Sequence, residues 1–212
     1  MAKLVIGTSG TAVVPAIVAE KIEKYALLNR VKTDSDVEIG TVAGFMTASN
    51  DQKYAIVVLD ALYRSDASAY LSPNGTIAGQ PLQTTQDLWE DGRTGTENTQ
   101  LVVDYASAQG STAAAATHCR SKSFVIDGIT YYGQIPTISE LIKIVLLQSE
   151  INAQDPTAAT FPARIIGNDL STWSSSQNTT SNGWHLTNDA RVTNKAKTNA
   201  LAVIPILEIP VD

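Results

Sequence analysis

Four serines lie around one tryptophan in the stretch LSTWSSSQ, residues 170–177. A serine hydroxyl becomes a nucleophile when a neighbouring base takes its proton, and the sequence offers His118 and His185 for that role. The serines lack the Gly-x-Ser-x-Gly turn that exposes the nucleophile of one large hydrolase class. We therefore predict no catalytic residue and no enzyme activity. The stretch is interpreted as a β-strand whose alternate side chains pack inward around Trp173, with the hydroxyls facing solvent or satisfying backbone groups.

The dipeptide His118-Cys119 combines two residue types that bind metals. A zinc site needs three or four protein ligands, and no second cysteine or nearby histidine supplies the others. A cysteine near the end of a helix is more often a small buried apolar residue. The sequence therefore predicts neither a metal nor a cofactor.

An Asn- and Thr-rich segment, QNTTSNGWHLTND at residues 177–189, has the composition of an exposed loop beside an aromatic pair. Aromatic rings stack on sugars, and amide and hydroxyl groups hydrogen-bond them. The alternatives are that Trp184 belongs to the core, which we favour for that residue, and that the polar residues only form turns. The candidate ligand-binding residues are Asn178, Thr179, Thr180, Asn182, Trp184 and His185.

Local patterns predict the elements that would position these residues. The β-branched run in AIVVLDALYR, residues 55–64, favours a buried strand. The Ala-rich segment 97–119 favours helix with a break at Gly110-Ser111, and Asp127-Gly128 is typical of a two-residue hairpin turn. Thr137 and Glu140 have the spacing of a capping box at a helix start. The last fifty residues alternate apolar segments with turn residues, which favours a small antiparallel sheet.

Residues 1–56 differ from the remainder, because their apolar pieces are too small to form a core of their own. We predict an N-terminal arm at 1–56, for anchoring and oligomerisation, and a globular domain at 57–212. Thr8-Ser9-Gly10-Thr11 and Pro15 interrupt the apolar stretch, so a signal peptide is not expected. The candidate anchoring residues are Leu4, Val5, Ile6, Val13, Val14 and Ile17.

The order of the carboxyl-terminal motifs resembles a known pattern. Ile135-Pro136-Thr137, Glu140-Leu141, Trp173-Ser174-Ser175 and Trp184 follow one another as in the Fibrobacter-type major paralogous domain, which has a C-type-lectin-like fold. The resemblance covers about residues 97–212. It implies an α+β fold with two helices and a small antiparallel sheet, preceded by the anchoring arm.

Two departures from related folds restrict the chemistry. Calcium-dependent lectins carry oxygen-ligand motifs that the order Gln154-Asp155-Pro156 does not match. The formylglycine-generating enzymes that share the fold are disfavoured, because the chain has no matching thiol pair. Both departures favour a binding or structural role over catalysis.

The amino end, MAKLVIGTSGTAVVPAIV, is similar to those of head-fibre and capsid-decoration proteins from phages of gut Bacteroidetes. This resemblance implies a virion surface protein, assembled in the host cytoplasm and oligomeric, with a trimer favoured. A phage capsid or auxiliary capsid protein is the expected partner, with host or mucus carbohydrate as a further one. The alternative is a bacterial secreted or surface lectin-like adhesion module.

Composition and charge argue against further classes of partner. The formal net charge is −6 and basic residues form no run, which argues against a nucleic-acid ligand. No apolar run approaches the roughly 20 residues that span a bilayer, so membrane insertion is not expected. The single cysteine cannot form an intrachain disulfide.

Overall fold

The computed structural model of the protein describes residues 24–83, 93–156, 171–187 and 189–211. Three sheets and four α-helices make up this part of the chain, which confirms the α+β class and exceeds the two helices and one small sheet expected. The strands are β1 Arg30–Lys32, β2 Glu38–Thr47, β3 Lys53–Leu59, β4 Ser65–Ala69, β5 Ser123–Ile126, β6 Ile129–Tyr132, β7 Thr172–Gln177, β8 Asn182–Leu186, β9 Val192–Ala196, β10 Leu201–Val203 and β11 Ile206–Pro210. The helices are α1 Gly95–Ala108, α2 Ala114–Arg120, α3 Ile138–Leu146 and α4 Gln148–Gln154.

The last two strands of the described chain belong to different sheets. Strand β11 lies at one edge of an antiparallel sheet with the order β1-β2-β3-β11. Strand β10 lies inside a second sheet with the order β4-β10-β7-β8-β9, between β4 and β7. The pairing of β10 with β7 is parallel, so the antiparallel arrangement predicted for this region holds for its other pairs only. Strands β5 and β6 form a separate hairpin.

Strand β3 confirms the buried strand predicted at the start of AIVVLDALYR. Its residues Ala55 to Leu59 are all buried. Ile56 and Val58 face one apolar cluster, while Ala55, Val57 and Leu59 face another. A strand with both faces covered needs a continuous apolar run instead of an alternating one. The predicted domain boundary after residue 56 falls within this strand, which pairs with β2 on one side and β11 on the other.

Both long helices begin with reciprocal caps. Thr137 accepts a hydrogen bond from the amide of Glu140, whose carboxylate accepts one from the amide of Thr137, so the predicted capping box is confirmed. Thr94 and Glu97 form the same arrangement at the start of α1. Helix α1 ends at Ala108 and α2 begins at Ala114, which confirms the predicted break. Each box satisfies two backbone donors that a helix start leaves unpaired.

The predicted hairpin turn at Asp127-Gly128 is also confirmed. Both residues have positive φ, at 53° and 73°, as the two-residue turn that matches strand twist requires. The Asp34 carboxylate accepts hydrogen bonds from the amides of Asp127 and Gly128 at 2.7 and 2.9 Å. The side chain of Asp34 thereby holds the tip of this hairpin against the turn between β1 and β2.

The serine-rich stretch forms β7, and all six of its residues are buried. The predicted strand and the burial of Trp173 are confirmed, and of the two positions predicted for the serine hydroxyls the structure shows pairing with backbone groups instead of exposure to solvent. The Ser174 hydroxyl donates to the carbonyl of Trp184 at 2.7 Å, and the Ser176 hydroxyl accepts from the amide of Ile138 at 3.1 Å. Because serine side chains are small, α3 can approach the strand closely, and their hydroxyls still form hydrogen bonds with backbone groups.

Candidate functional site

The predicted polar loop joins β7 to β8, and its side chains mostly pair within the protein. Thr179 Oγ1 accepts hydrogen bonds from the amides of Ser181 and Asn182 at 3.3 and 3.0 Å, which shapes the turn. The other candidate residues of the loop also form hydrogen bonds: Thr76 Oγ1 donates to Thr180 Oγ1 at 3.0 Å, Asn178 Nδ2 donates to the Gln83 carbonyl at 3.3 Å, and Asn182 Nδ2 donates to Asn194 Oδ1 at 3.0 Å. The loop therefore has an exposed tip but few uncommitted polar groups.

The two aromatic residues of the same prediction lie in the interior. Trp184 and His185 are each 3% exposed. Trp184 packs in an apolar cluster and donates from Nε1 to the carbonyl of Gln83 at 3.0 Å. His185 meets the ring of Trp173 edge-on, with centroids 5.7 Å apart, and burial lowers the pKa of His185 to about 4. The structure thus brings residues 178–182 together at the surface but places both rings away from it.

The predicted anchoring residues fall outside the described part of the chain. They are Leu4, Val5, Ile6, Val13, Val14 and Ile17. Their role stays a prediction.

Lys197 holds the polar loop in place from beneath. Its ammonium donates to the carbonyl of Gly75 at 2.8 Å, to Gln177 Oε1 at 2.9 Å and to the carbonyl of Thr180 at 3.0 Å. The side chain is fully buried, and that desolvation lowers the pKa of Lys197 to about 8. Three neutral oxygens use all three donors of the ammonium, so this lysine has a structural role.

Two glutamates meet beneath the starts of α1 and α3. The Glu140 carboxyl is fully buried, and burial raises its pKa well above the ordinary 4.5, with the neighbouring Glu208 raising it further. The Glu208 carboxylate accepts hydrogen bonds from the amides of Gly95 and Thr96 at the start of α1. Burial therefore favours the protonated form of Glu140, while the neighbouring Glu208 carboxylate caps the helix.

Glu208 also forms part of the wall of an open groove of about 600 Å³. The groove runs between the start of α1, the end of α2, the β5–β6 hairpin and strands β3 and β11. We call it the tyrosine groove, and its lining residues are Ala48, Asn50, Tyr54, Thr94, Thr96, Glu97, Gln100, Arg120, Thr130, Tyr131, Tyr132, Gln134, Glu208 and Pro210. Its volume lies within the range of about 300–1,000 Å³ that is typical of small-molecule sites.

Two polar atoms of the tyrosine groove are buried and have no hydrogen-bond partner among the described residues. One is Gln134 Oε1, on a side chain that is only 4% exposed, and the other is Arg120 Nε. Gln134 is fixed, because its Nε2 donates to the carbonyl of Tyr132 at 2.9 Å and its backbone bridges to Ile206. Arg120 is positioned by a hydrogen bond from Nη2 to Gln100 Oε1 at 2.8 Å. Two residues that line the groove thus carry one acceptor and one donor that have no partner among the described residues.

The tyrosine groove was not predicted from the sequence. Its residues come from segments as far apart as Ala48 and Pro210, and none of these segments carries a recognisable motif. The two adjacent tyrosines of β6, Tyr131 and Tyr132, are a local signal that the sequence does contain. In the structure the large aromatic side chain of Tyr132 is 50% exposed.

Clusters of metal ligands and membrane-spanning helices are two further features that bear on function. Within them, no group of three or more His, Cys, Asp or Glu side chains is placed to hold a metal ion. Cys119 is fully buried, and burial raises its pKa. No helix in the same ranges is long and apolar enough to cross a bilayer.

Comparisons with known proteins give a likeness of fold. The sequence matches no protein-family model and no curated protein. Among solved structures, the chain is similar to a fimbrial protein from Bacteroides ovatus, with a TM-score of 0.53 at 12% sequence identity. The match covers 85% of this chain and 45% of the fimbrial protein, so this chain spans less than half the length of that protein.

Proposed function

We propose that the protein is a non-enzymatic structural subunit of an assembly displayed on a surface, with adhesion as its role. The observation that carries the proposal is the fold shared with a fimbrial protein over 85% of this chain. Fold alone does not fix function. The proposal therefore also rests on how the buried polar groups are used.

The groups that first suggested chemistry serve the fold instead. The hydroxyls of Ser174 and Ser176 pair with backbone groups, and the lowered pKa of His185 leaves a neutral ring in the core. Cys119 is buried in an apolar cluster. His185 is buried and packs edge-on against Trp173, which supports a structural role for this ring over that of a catalytic base.

Two settings are compatible with this role. The fimbrial likeness favours a bacterial surface assembly, which was the alternative from the sequence. The resemblance of the amino end to phage head-fibre proteins favours a virion surface protein bound to a capsid or auxiliary capsid protein, with the C-type-lectin-like interpretation of the carboxyl part. In both settings the chain acts as a homo-oligomer, with the amino-terminal residues as the anchor.

Immunogold electron microscopy with antibodies raised against residues 24–211 tests the proposal. Label on the surface of intact bacteria supports the fimbrial setting, and label on purified phage particles supports the virion setting. Label confined to the cell interior would refute both. Light scattering after size-exclusion chromatography tests the oligomer, because a monodisperse monomer over the whole concentration range would contradict self-assembly.

A second test concerns the amino-terminal segment. Deletion of residues 1–23 removes no residue of the described strands and helices. We expect the shortened chain to fold, as judged by circular dichroism, and to lose attachment to the assembly. Retained attachment would contradict the anchoring role.

A further inference from the structure

We infer that the tyrosine groove binds a neutral carbohydrate of two or three sugar units. The inference deepens the proposed surface role by naming a ligand class and a site for adhesion, and it rests on that role. This site differs from the polar loop at residues 178–182.

The unpartnered polar atoms of the groove match a sugar hydroxyl. Gln134 Oε1 needs a donor and Arg120 Nε needs an acceptor, and both atoms belong to residues that line the groove. A hydroxyl supplies one donor and two acceptor lone pairs, so neighbouring hydroxyls on a sugar ring can satisfy both atoms. A buried polar atom gains most from such a partner, because leaving it unpaired costs free energy.

The aromatic residues of the groove suit the apolar faces of a sugar ring. Three tyrosines line it, namely Tyr54, Tyr131 and Tyr132. Tyr132 is half exposed and presents aromatic surface beside polar groups, whereas Tyr54 and Tyr131 are partly buried and pack against apolar clusters. Such a combination of a flat apolar surface with fixed hydrogen-bonding groups is what a pyranose requires.

The charges of the groove favour a neutral ligand. Its lining contains one cation, Arg120, and two acidic residues, Glu97 and Glu208. The Glu208 carboxylate is held by two backbone amides of α1, and Arg120 already donates to Gln100. With more acidic than basic side chains, the groove would repel a phosphate, sulfate or acidic sugar.

Calorimetric titration of the full chain with lactose, maltose and N,N′-diacetylchitobiose tests the inference. We expect at least one disaccharide to bind with a millimolar or tighter dissociation constant. Saturation-transfer NMR should then show contact between its ring protons and the protein. Failure of all three disaccharides to bind at about 10 mM would overturn the inference.

Substitutions locate the binding in the groove. Tyr132→Ala removes an exposed aromatic side chain and should weaken binding about tenfold. Gln134→Leu removes the buried acceptor and should weaken it about ten- to a hundredfold. Because Gln134 is buried, its variant is used only if its circular dichroism spectrum matches the wild type; Tyr132→Ala tests the site independently.

Matched controls remove the same groups elsewhere. Tyr70 is 46% exposed and does not line the groove, so Tyr70→Ala should bind normally. Gln148 also has a buried Oε1 with no partner among the described residues, but it begins α4 outside the groove, so Gln148→Leu should bind normally. Equal affinity of the groove variants and these controls would overturn the inference.

Two further outcomes separate this inference from the proposed function. Binding of a blocked tetra-alanine peptide, with no disaccharide bound, would reassign the groove to a protein ligand and overturn the inference. Surface label in microscopy without sugar binding would leave the proposed function standing and remove only the groove assignment. Sugar binding in the groove without surface label would support the groove assignment and refute the proposed surface role.

Discussion

Replacing Glu140 by glutamine should change how stability depends on pH. In the folded protein the pKa of Glu140 is raised well above 4.5, because the carboxyl is fully buried and lies beside Glu208. An unfolded chain ionises this carboxyl near pH 4.5. The stabilising effect of the folded site is therefore complete below pH 4.5 and is lost as the pH rises toward the raised pKa.

The size of the effect follows from proton linkage. Between the two pKa values the folded state holds one more proton than the unfolded state, so the free energy of unfolding falls by about 1.4 kcal/mol for each pH unit. Glutamine keeps an oxygen for the amide of Thr137, 2.7 Å away in the wild type, and an N–H donor for Glu208. Glu140→Gln should therefore match the wild type near pH 4.5 and gain about 1.4 kcal/mol on it for each pH unit from there up to the raised pKa of Glu140.

Urea unfolding at about pH 5.5, 6.5 and 7.5, followed by circular dichroism, measures this difference. These conditions avoid the sequence pI of about 4.9, where solubility is lowest. Glu97→Gln is the matched control, because Glu97 occupies the same position in the capping box of α1 but is exposed. A stability difference between Glu140→Gln and the wild type that stays constant with pH would refute the reasoning, as would an equal pH slope in the Glu97 variant.

Three other substitutions test buried side chains elsewhere in the fold. Trp173→Ala should lower the free energy of unfolding by about 3–5 kcal/mol in urea titrations, because the indole is fully buried; a loss under 1 kcal/mol would contradict its role as a core anchor. Asp60→Asn should cost about 3–5 kcal/mol in thermal unfolding, since it removes the charge of a residue that is 3% exposed and one of the two oxygens that accept 2.7 Å hydrogen bonds from Arg30. Lys197→Met should cost about 2 kcal/mol or more and increase amide hydrogen exchange at residues 178–182, because three buried or partly buried oxygens lose their donor; unchanged exchange would contradict the structural role of Lys197.

Features that depend on a few adjacent residues were predictable from the sequence. Thr137 and Glu140 are three residues apart, and the hairpin turn needs only Asp127 and Gly128. The apolar run of β3 was enough to predict a buried strand. In each case the hydrogen bonds or the burial follow from local backbone geometry or from a continuous pattern.

Features that join distant segments were not predictable. Glu208 caps a helix that begins 113 residues earlier, and Lys197 reaches a carbonyl 122 residues away. The sequence around Trp173 indicated a strand but not that α3 would cover its serines, which changed their environment from solvent to core. The groove around Gln134 forms only when the hairpin and β11 meet, so no single segment shows it.

The division of β10 and β11 between two sheets has a consequence for biosynthesis. Residues 201–203 join β4 to β7, and residues 206–210 cover the edge of β3. Until the ribosome has made these two strands, neither sheet is complete, and the nascent chain exposes the edges of β3 and β7. Unpaired strand edges pair readily with other chains. The fold therefore closes only after strands that precede β10 and β11 have been made, and a chaperone that shields those edges during synthesis would raise the yield of folded protein.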